Sequence, residues 1–290
     1  MPKIKLPFRQ PARKPKKQPE ARLPKITISP AERVILVHTV LVGASSLIPI
    51  PLLDDYLAAT FQRLMVKELF KVHGRQALPA EVAWLSMQSA PGCSNGCLFL
   101  VKYLIKDLVR EVLFFLEWQR GLSMATQAYY LGYLLNEVFE NGLYQPGRVD
   151  VIHMEIDQAR KGADTHLVYD AIKRTFRSTR GMWWALAKFQ ARAGLFYVRL
   201  AYFQVGRQAR AFWRWLRRKP EPAQDAAAAI PTFEQIFDTR RPQIDDLLDE
   251  LALELQQGIG GLSKSHFDGL RSTLMAGLAN HGIVPQITAG

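Results

Sequence analysis

The sequence predicts an all-α fold: a multi-helix bundle with a disordered basic tail at the N-terminal side and a small helical appendage at the C-terminal side. Three observations carry this expectation. No run alternates apolar and polar residues with period two, as a half-buried strand would. After Ser29, apolar residues return every three or four positions over most of the chain. Helix punctuation recurs as well, with Ser, Thr or Asp ahead of periodic stretches and Gly or Pro behind them. With 290 residues, 48% of them hydrophobic, there is enough material for one packed core and additional segments.

The elements follow in order. Residues 1–28 place Pro at positions 2, 7, 11, 15, 19 and 24 among Lys and Arg, a pattern that neither forms a regular helix nor buries a core. A helical core domain is expected over residues 29–218. Ser29-Pro30-Ala31-Glu32 opens its first helix, with Ser as cap and Pro in the first turn, and that helix should reach about Ala44. The extended Leu47-Ile48-Pro49-Ile50-Pro51 comes next. Asp54 or Asp55 then caps a helix whose Leu57, Phe61, Leu64, Met65 and Val72 share a face, with Gly74 as its stop. Pro79 opens a helix to about Ser89, followed by the turn cluster Pro91–Gly96. Leu98–Arg120 reads as a strongly apolar helix, Leu122–Asn141 as the next, and Arg148–Lys161 as another that ends at Gly162.

A single basic helix is expected over 173–219. Residues 219–231, rich in Pro and Ala, read as a linker. Residues 232–290 form an acidic helical segment. It begins with a capping-box pattern at Thr232–Gln235. A helix opened by Pro242 follows, with Leu247, Leu248, Leu251 and Leu255 inward, and then a last helix over about Ser263–His281.

Charge is distributed in blocks. Residues 1–33 carry +8 and residues 172–220 carry +13, which leaves −9 for the rest of a chain whose net charge is +12. Separated blocks of opposite sign attract one another or compete for one partner. The block from Ile172 to Pro220 holds thirteen Lys or Arg, no Asp or Glu, and four of the six Trp. At about 100° per residue, Lys188, Arg192, Arg199, Arg207, Arg210, Arg214, Arg217 and Arg218 fall within roughly 120° of arc. Trp183, Trp184, Trp213 and Trp215 accompany them. A cationic stripe on an apolar, Trp-bearing helix suits contact with an anionic membrane surface. There each basic residue contributes about 1 kcal/mol, and indole rings favour the interface. Two other readings stand beside this one. The helix could pack in the core with a merely solvated stripe, its Arg stems lying over apolar neighbours. It could also bind nucleic-acid phosphates, although no recognised nucleic-acid-binding signature accompanies it. The acidic helix over 243–257 is a further candidate partner for the stripe, tethered to it at high effective concentration.

Other signals carry little chemistry. Asp245-Asp246-Leu247-Leu248-Asp249 matches the spacing of an aspartate-rich Mg²⁺ motif, but no second such motif accompanies it, so a Mg²⁺-dependent enzyme is only a remote alternative. Cys93 and Cys97 are half a zinc site with no His at ligand spacing. No nucleotide-binding or nucleophile-elbow motif occurs. The expectation is therefore no catalytic residue, no metal and no cofactor. Neither a cleavable signal peptide nor a membrane span is expected. Val34–Leu53 is uncharged but contains Gly43, Ser45, Ser46, Pro49 and Pro51, which favours a buried helix or re-entrant hairpin.

Val42–Gly74 has a small-residue run, then Ile48-Pro49-Ile50-Pro51, an acidic residue at Asp54, and a helix closing on Val72-His73-Gly74. This stretch, about a ninth of the chain, resembles the bacterial EcsC-like group. Leu52 stands where a Gly often follows the second Pro in that group, and the chain after residue 219 has no counterpart in it. The resemblance implies a bacterial, membrane-associated helical protein with no established activity, and it carries over no catalytic residue; the expected location is the cytoplasmic face of the bacterial inner membrane, or the cytoplasm. Independently of it, Pro49 and Pro51 hold Ile48 and Ile50 extended, making a rigid apolar turn able to enter lipid or plug the core.

Overall fold

The computed structural model describes residues 28–48, 53–86, 110–216 and 232–284, with the backbone alone for 110–117 and 200–216. Ten α-helices and no strand occur among the described residues. They are α1 (Pro30–Ser45), α2 (Leu53–Val72), α3 (Pro79–Leu85), α4 (Arg110–Glu140), α5 (Val149–Gly162), α6 (Thr165–Ser178), α7 (Arg180–Leu216), α8 (Phe233–Arg240), α9 (Asp245–Gly260) and α10 (Lys264–Asn280). A 3₁₀ turn, Arg241–Gln243, joins α8 to α9. Most of the tail at 1–28, the turn residues Pro49, Ile50 and Pro51, the cluster holding Cys93 and Cys97, and the linker at 219–231 lie outside the described residues.

The centre of the bundle is α1. Ser29 caps it, its hydroxyl accepting from Glu32 N at 3.2 Å, and every residue from Ile35 to Ser45 is buried. Helices α2, α4, α7 and α9 all pack against it. A helix enclosed on every side needs no polar face, and this accounts for the uncharged composition that made Val34–Leu53 resemble a membrane segment. No helix among the described residues is long and apolar enough to cross a membrane.

Small residues allow the close approach. A Cβ on Gly43 would stand 2.8 Å from the Trp183 ring of α7 and 3.0 Å from Ala125 of α4. A Cβ on Gly121 would collide with the Ser46 hydroxyl of the chain just after α1. This corrects the helix break expected at Gly121. The described helix runs through it, and the glycine serves interhelical contact rather than termination. A second correction concerns the basic run. It does not form one helix over 173–219, because α6 and α7 are separate and Thr179 breaks the chain between them at φ −112°, ψ 24°. Helix α6 begins where Asp164 accepts from His166 N at 3.1 Å, a local cap inside a stretch the apolar pattern left unassigned.

The segment after residue 232 shares the core. Phe233, Phe237, Leu248, Leu251, Leu255, Ile259, Leu270, Leu274 and Leu278 belong to the same buried apolar cluster as α1, α2 and α4. The linker therefore separates two compositions and not two cores. The capping box at its far side forms as the sequence predicts, with Thr232 N donating to Gln235 Oε1 at 2.9 Å and Gln235 N to Thr232 Oγ1 at 3.3 Å.

Candidate functional site

The first half of α7 is anchored by one face. Trp183, Leu186, Gln190 and Ala193 are buried, and Gln190 Nε2 donates to Leu41 O of α1 at 3.0 Å. A Cβ on Gly194 would lie 2.9 Å from Leu53 at the start of α2, two residues beyond Pro51 in the sequence. The opposite face looks outward. Lys188, Arg192, Leu195 and Arg199 are exposed and fall within about 60° of arc over about 16 Å of helix. Leu195, Phe196 and Val198 are 49%, 43% and 49% exposed. Three large apolar side chains open to solvent within four residues, amid cations, make this the most distinctive surface of the described residues.

The residues predicted for surface contact divide into three groups. Lys188, Arg192 and Arg199 lie on the exposed face. Trp183 does not, which corrects its assignment as a lipid or phosphate contact. It is 1% exposed, packs on Gly43 and Phe176, and its indole N–H donates to Thr179 Oγ1 at 3.1 Å. With the polar tip satisfied internally, nothing draws this ring to an interface. Trp184 is half-buried and packs against the core. Arg207, Arg210, Trp213, Arg214 and Trp215 continue along the α7 backbone, but their side chains are outside the description, as are Arg217 and Arg218 altogether. In the apolar turn, Ile48 is 2% exposed and plugs the core.

Sequence reasoning missed the contribution of α8. Its Phe233 and Phe237 are both buried, and they meet Phe61 of α2 edge-on at 5.9 and 5.0 Å. Phe237 reaches Phe189 of α7 at 6.2 Å, while Tyr56 of α2 stacks on Tyr197 of α7 at 5.9 Å. Burial, followed by the hydroxyl of Tyr197, pushes the Tyr56 phenol up to about 12. The Arg240 guanidinium at the end of α8 lies 4.8 Å from the centre of the exposed Phe196 ring. No local signal links residues 196 and 240, because their meeting depends on where α8 docks.

Behind this surface, the 3₁₀ turn is fixed to the core. Arg241 donates to Glu68 of α2 at 2.7 Å and lies 3.4 Å from Asp245. His38 of α1 stands 4.0 Å from Glu68, and its Nδ1–H donates to Val34 O at 2.9 Å. Burial holds the His38 imidazole below its usual value, so it is neutral at physiological pH.

The acidic face of α9 has its own partners. Asp249 meets Arg33 of α1 at 2.6 Å and Asp245 meets Arg241. Neither Lys188 nor Arg192 lies within ion-pair distance of a carboxylate among the described residues. Two of the three aspartates of the aspartate-rich spacing are thus committed to arginines, and no group of three His, Cys, Asp or Glu among the described residues is placed to hold a metal ion.

A shallow cavity of about 340 Å³ between α5 and α10 is lined by Asp164, Ser265, His266 and Thr273. Its His266 Nε2 contacts the Tyr130 hydroxyl at 2.9 Å, and that hydroxyl donates to Asp164 O at 3.2 Å. The imidazole is therefore engaged in holding α10 to α4. No family model matches this chain, and no curated protein or solved structure matches it.

Proposed function

We propose that this protein associates peripherally with an anionic membrane surface through the outward face of α7, in a non-catalytic or regulatory role. The observation that carries the reading is the exposure of Leu195, Phe196 and Val198 on the same helix as exposed Lys188, Arg192 and Arg199. A surface helix binds a bilayer by placing apolar atoms at the acyl boundary while cations meet headgroup phosphates, and α7 offers both within about three turns. A helix packed wholly in the core accounts for Trp183 but leaves three half-exposed apolar side chains unexplained. The resemblance of Val42–Gly74 to the EcsC-like group supports the same reading, and it points to the cytoplasmic face of a bacterial inner membrane.

The test is co-sedimentation of the full chain with vesicles of phosphatidylcholine alone and with added phosphatidylglycerol, at low and high salt. Binding is expected only with the anionic lipid and weaker at high salt. Lys188→Glu with Arg192→Glu should remove it, and Leu195→Ser with Phe196→Ser should weaken it at either salt. Equal binding of all variants would refute the α7 surface. A duplex-DNA gel shift abolished by the charge reversals, without vesicle binding, would replace lipid by nucleic acid as the partner.

A further inference from the structure

Arg240 ends α8 with no counter-charge from the protein. It is half-buried, and its guanidinium lies 4.8 Å from the centre of the Phe196 ring. The acids nearby are committed to other cations: Arg241 takes Glu68 and Asp245, and Lys67 takes Glu234. Among the described residues, no carboxylate lies within ion-pair distance of Arg240 and no acceptor takes its side-chain N–H groups. The ring beneath it stays 43% exposed.

A guanidinium over a phenyl ring uses its charge there, while its N–H donors stay available to an oxygen. Partial withdrawal of such a group from water without a counter-charge costs free energy, and an external anion offsets that cost. The exposed ring beside it suits the acyl boundary of a bilayer, where headgroup phosphates lie just above. We infer that the membrane-contact surface spans two helices, with Arg240 of α8 as the phosphate-binding cation beside the Phe196 ring of α7. The inference rests on the membrane-surface reading above and adds to it a residue from beyond the linker. Packing sets this placement, because Phe233 and Phe237 seat α8 against Phe61 of α2. Residues after the linker then assist the surface instead of screening it: Asp249 and Asp245 of α9 turn to Arg33 and Arg241, and α8 contributes a cation.

The experiment is co-sedimentation of the full chain with phosphatidylcholine vesicles containing phosphatidylglycerol, at low and high salt. Arg240→Gln is expected to weaken binding about fivefold at low salt, the share of one cation at an anionic surface. At high salt the same change should cost less than about twofold, because the contact is screened. Arg240→Lys keeps the charge and should stay within about twofold of wild type. Phe196→Ser should weaken binding at both salts, since lost apolar contact is not screened. Should the Gln variant melt early, Arg240→Met, which keeps an unbranched stem at the ring, carries the comparison.

Binding by Arg240→Gln as tight as wild type at low salt would overturn Arg240 as a phosphate contact. A loss that persists undiminished at high salt would overturn it too, since Arg240 would then only prop the ring. In both cases the α7 surface stands if Lys188→Glu with Arg192→Glu still removes binding. Failure of the wild type to bind these vesicles would overturn the surface reading itself, and the role of Arg240 with it. Suppose instead that inorganic phosphate in the millimolar range raises the melting temperature of wild type but not of Arg240→Gln, while the two bind vesicles equally. Arg240 would then belong to a site for a soluble phosphate compound, and the lipid contact would be overturned.

Discussion

The Trp183 indole closes on Gly43 so tightly that a Cβ at position 43 would stand 2.8 Å from the ring. This contact joins α7 to the central helix, and it explains both a glycine in the last turn of α1 and a tryptophan withdrawn from the surface. Ala125 lies 3.0 Å from the same position on the α4 side, so a Cβ there would be crowded from both neighbouring helices. Gly43→Ala should therefore destabilise the fold by about 1–2 kcal/mol, since overpacking outweighs the gain in helix propensity. Urea denaturation would read it, and a variant as stable as wild type would show that the helices separate easily here.

The ion pair between Glu68 and Arg241 fastens the turn before α9 to α2. Both side chains are about a quarter exposed, so removal of one leaves a partly desolvated charge on the other. Glu68→Ala is expected to cost about 2 kcal/mol, and Glu68→Ala with Arg241→Ala less than the sum of the two single changes. A double-mutant cycle followed by thermal melting checks the coupling. Strict additivity would mean that the turn is held by its apolar neighbours alone.

His38 makes stability depend on pH in a predictable direction. Burial depresses its folded-state affinity for protons below that of the unfolded chain, whose imidazole titrates near 6.5. Stability is then full above pH about 6.5. It falls as pH drops through that value towards the folded pKa, because only the unfolded state takes the proton. One group contributes a slope of at most about 1.4 kcal/mol per pH unit. Melting temperatures between pH 5 and 8 should fall on the acid side, and His38→Asn should flatten that fall. Parallel curves for the two proteins would place the acid sensitivity elsewhere.

The capping box of α8 should matter beyond its own size. Thr232→Ala removes the acceptor for Gln235 N and is expected to cost about 1 kcal/mol. Because α8 carries Arg240 to Phe196, the substitution should also loosen that ring contact. Hydrogen exchange resolved by segment would show faster exchange across 233–240 with the centre of α1 unchanged. Uniform acceleration would instead mean that α8 opens only with global unfolding.

Several local features were legible in advance for one reason: each is decided within a few residues of chain. The Ser29 cap and the Thr232–Gln235 box are local hydrogen bonds, and both form. The inward line of α9, Leu248, Leu251 and Leu255, follows from helical period alone. Gly121 shows where local reading misleads. Glycine punctuates helices and also allows them to touch, and the pattern around residue 121 does not distinguish these uses. The candidate surface was legible in part. Lys188, Arg192 and Arg199 share an arc that helical geometry supplies, but the roles of Trp183 and Phe196 depend on which side of α7 meets α1.

Residue order alone determined the all-α class, the Ser29 and Thr232 caps, the apolar seam of α9 and the crowding of positive charge between Ile172 and Pro220. These follow from backbone hydrogen bonding and the 3.6-residue period, which act over one or two turns. The fold decided that α1 is enclosed, that Trp183 is internal, that the acidic helix turns to Arg33 and that Arg240 stands over Phe196. Such outcomes are set by packing between elements as much as 224 residues apart, where side-chain volume and the burial of whole faces select the neighbours.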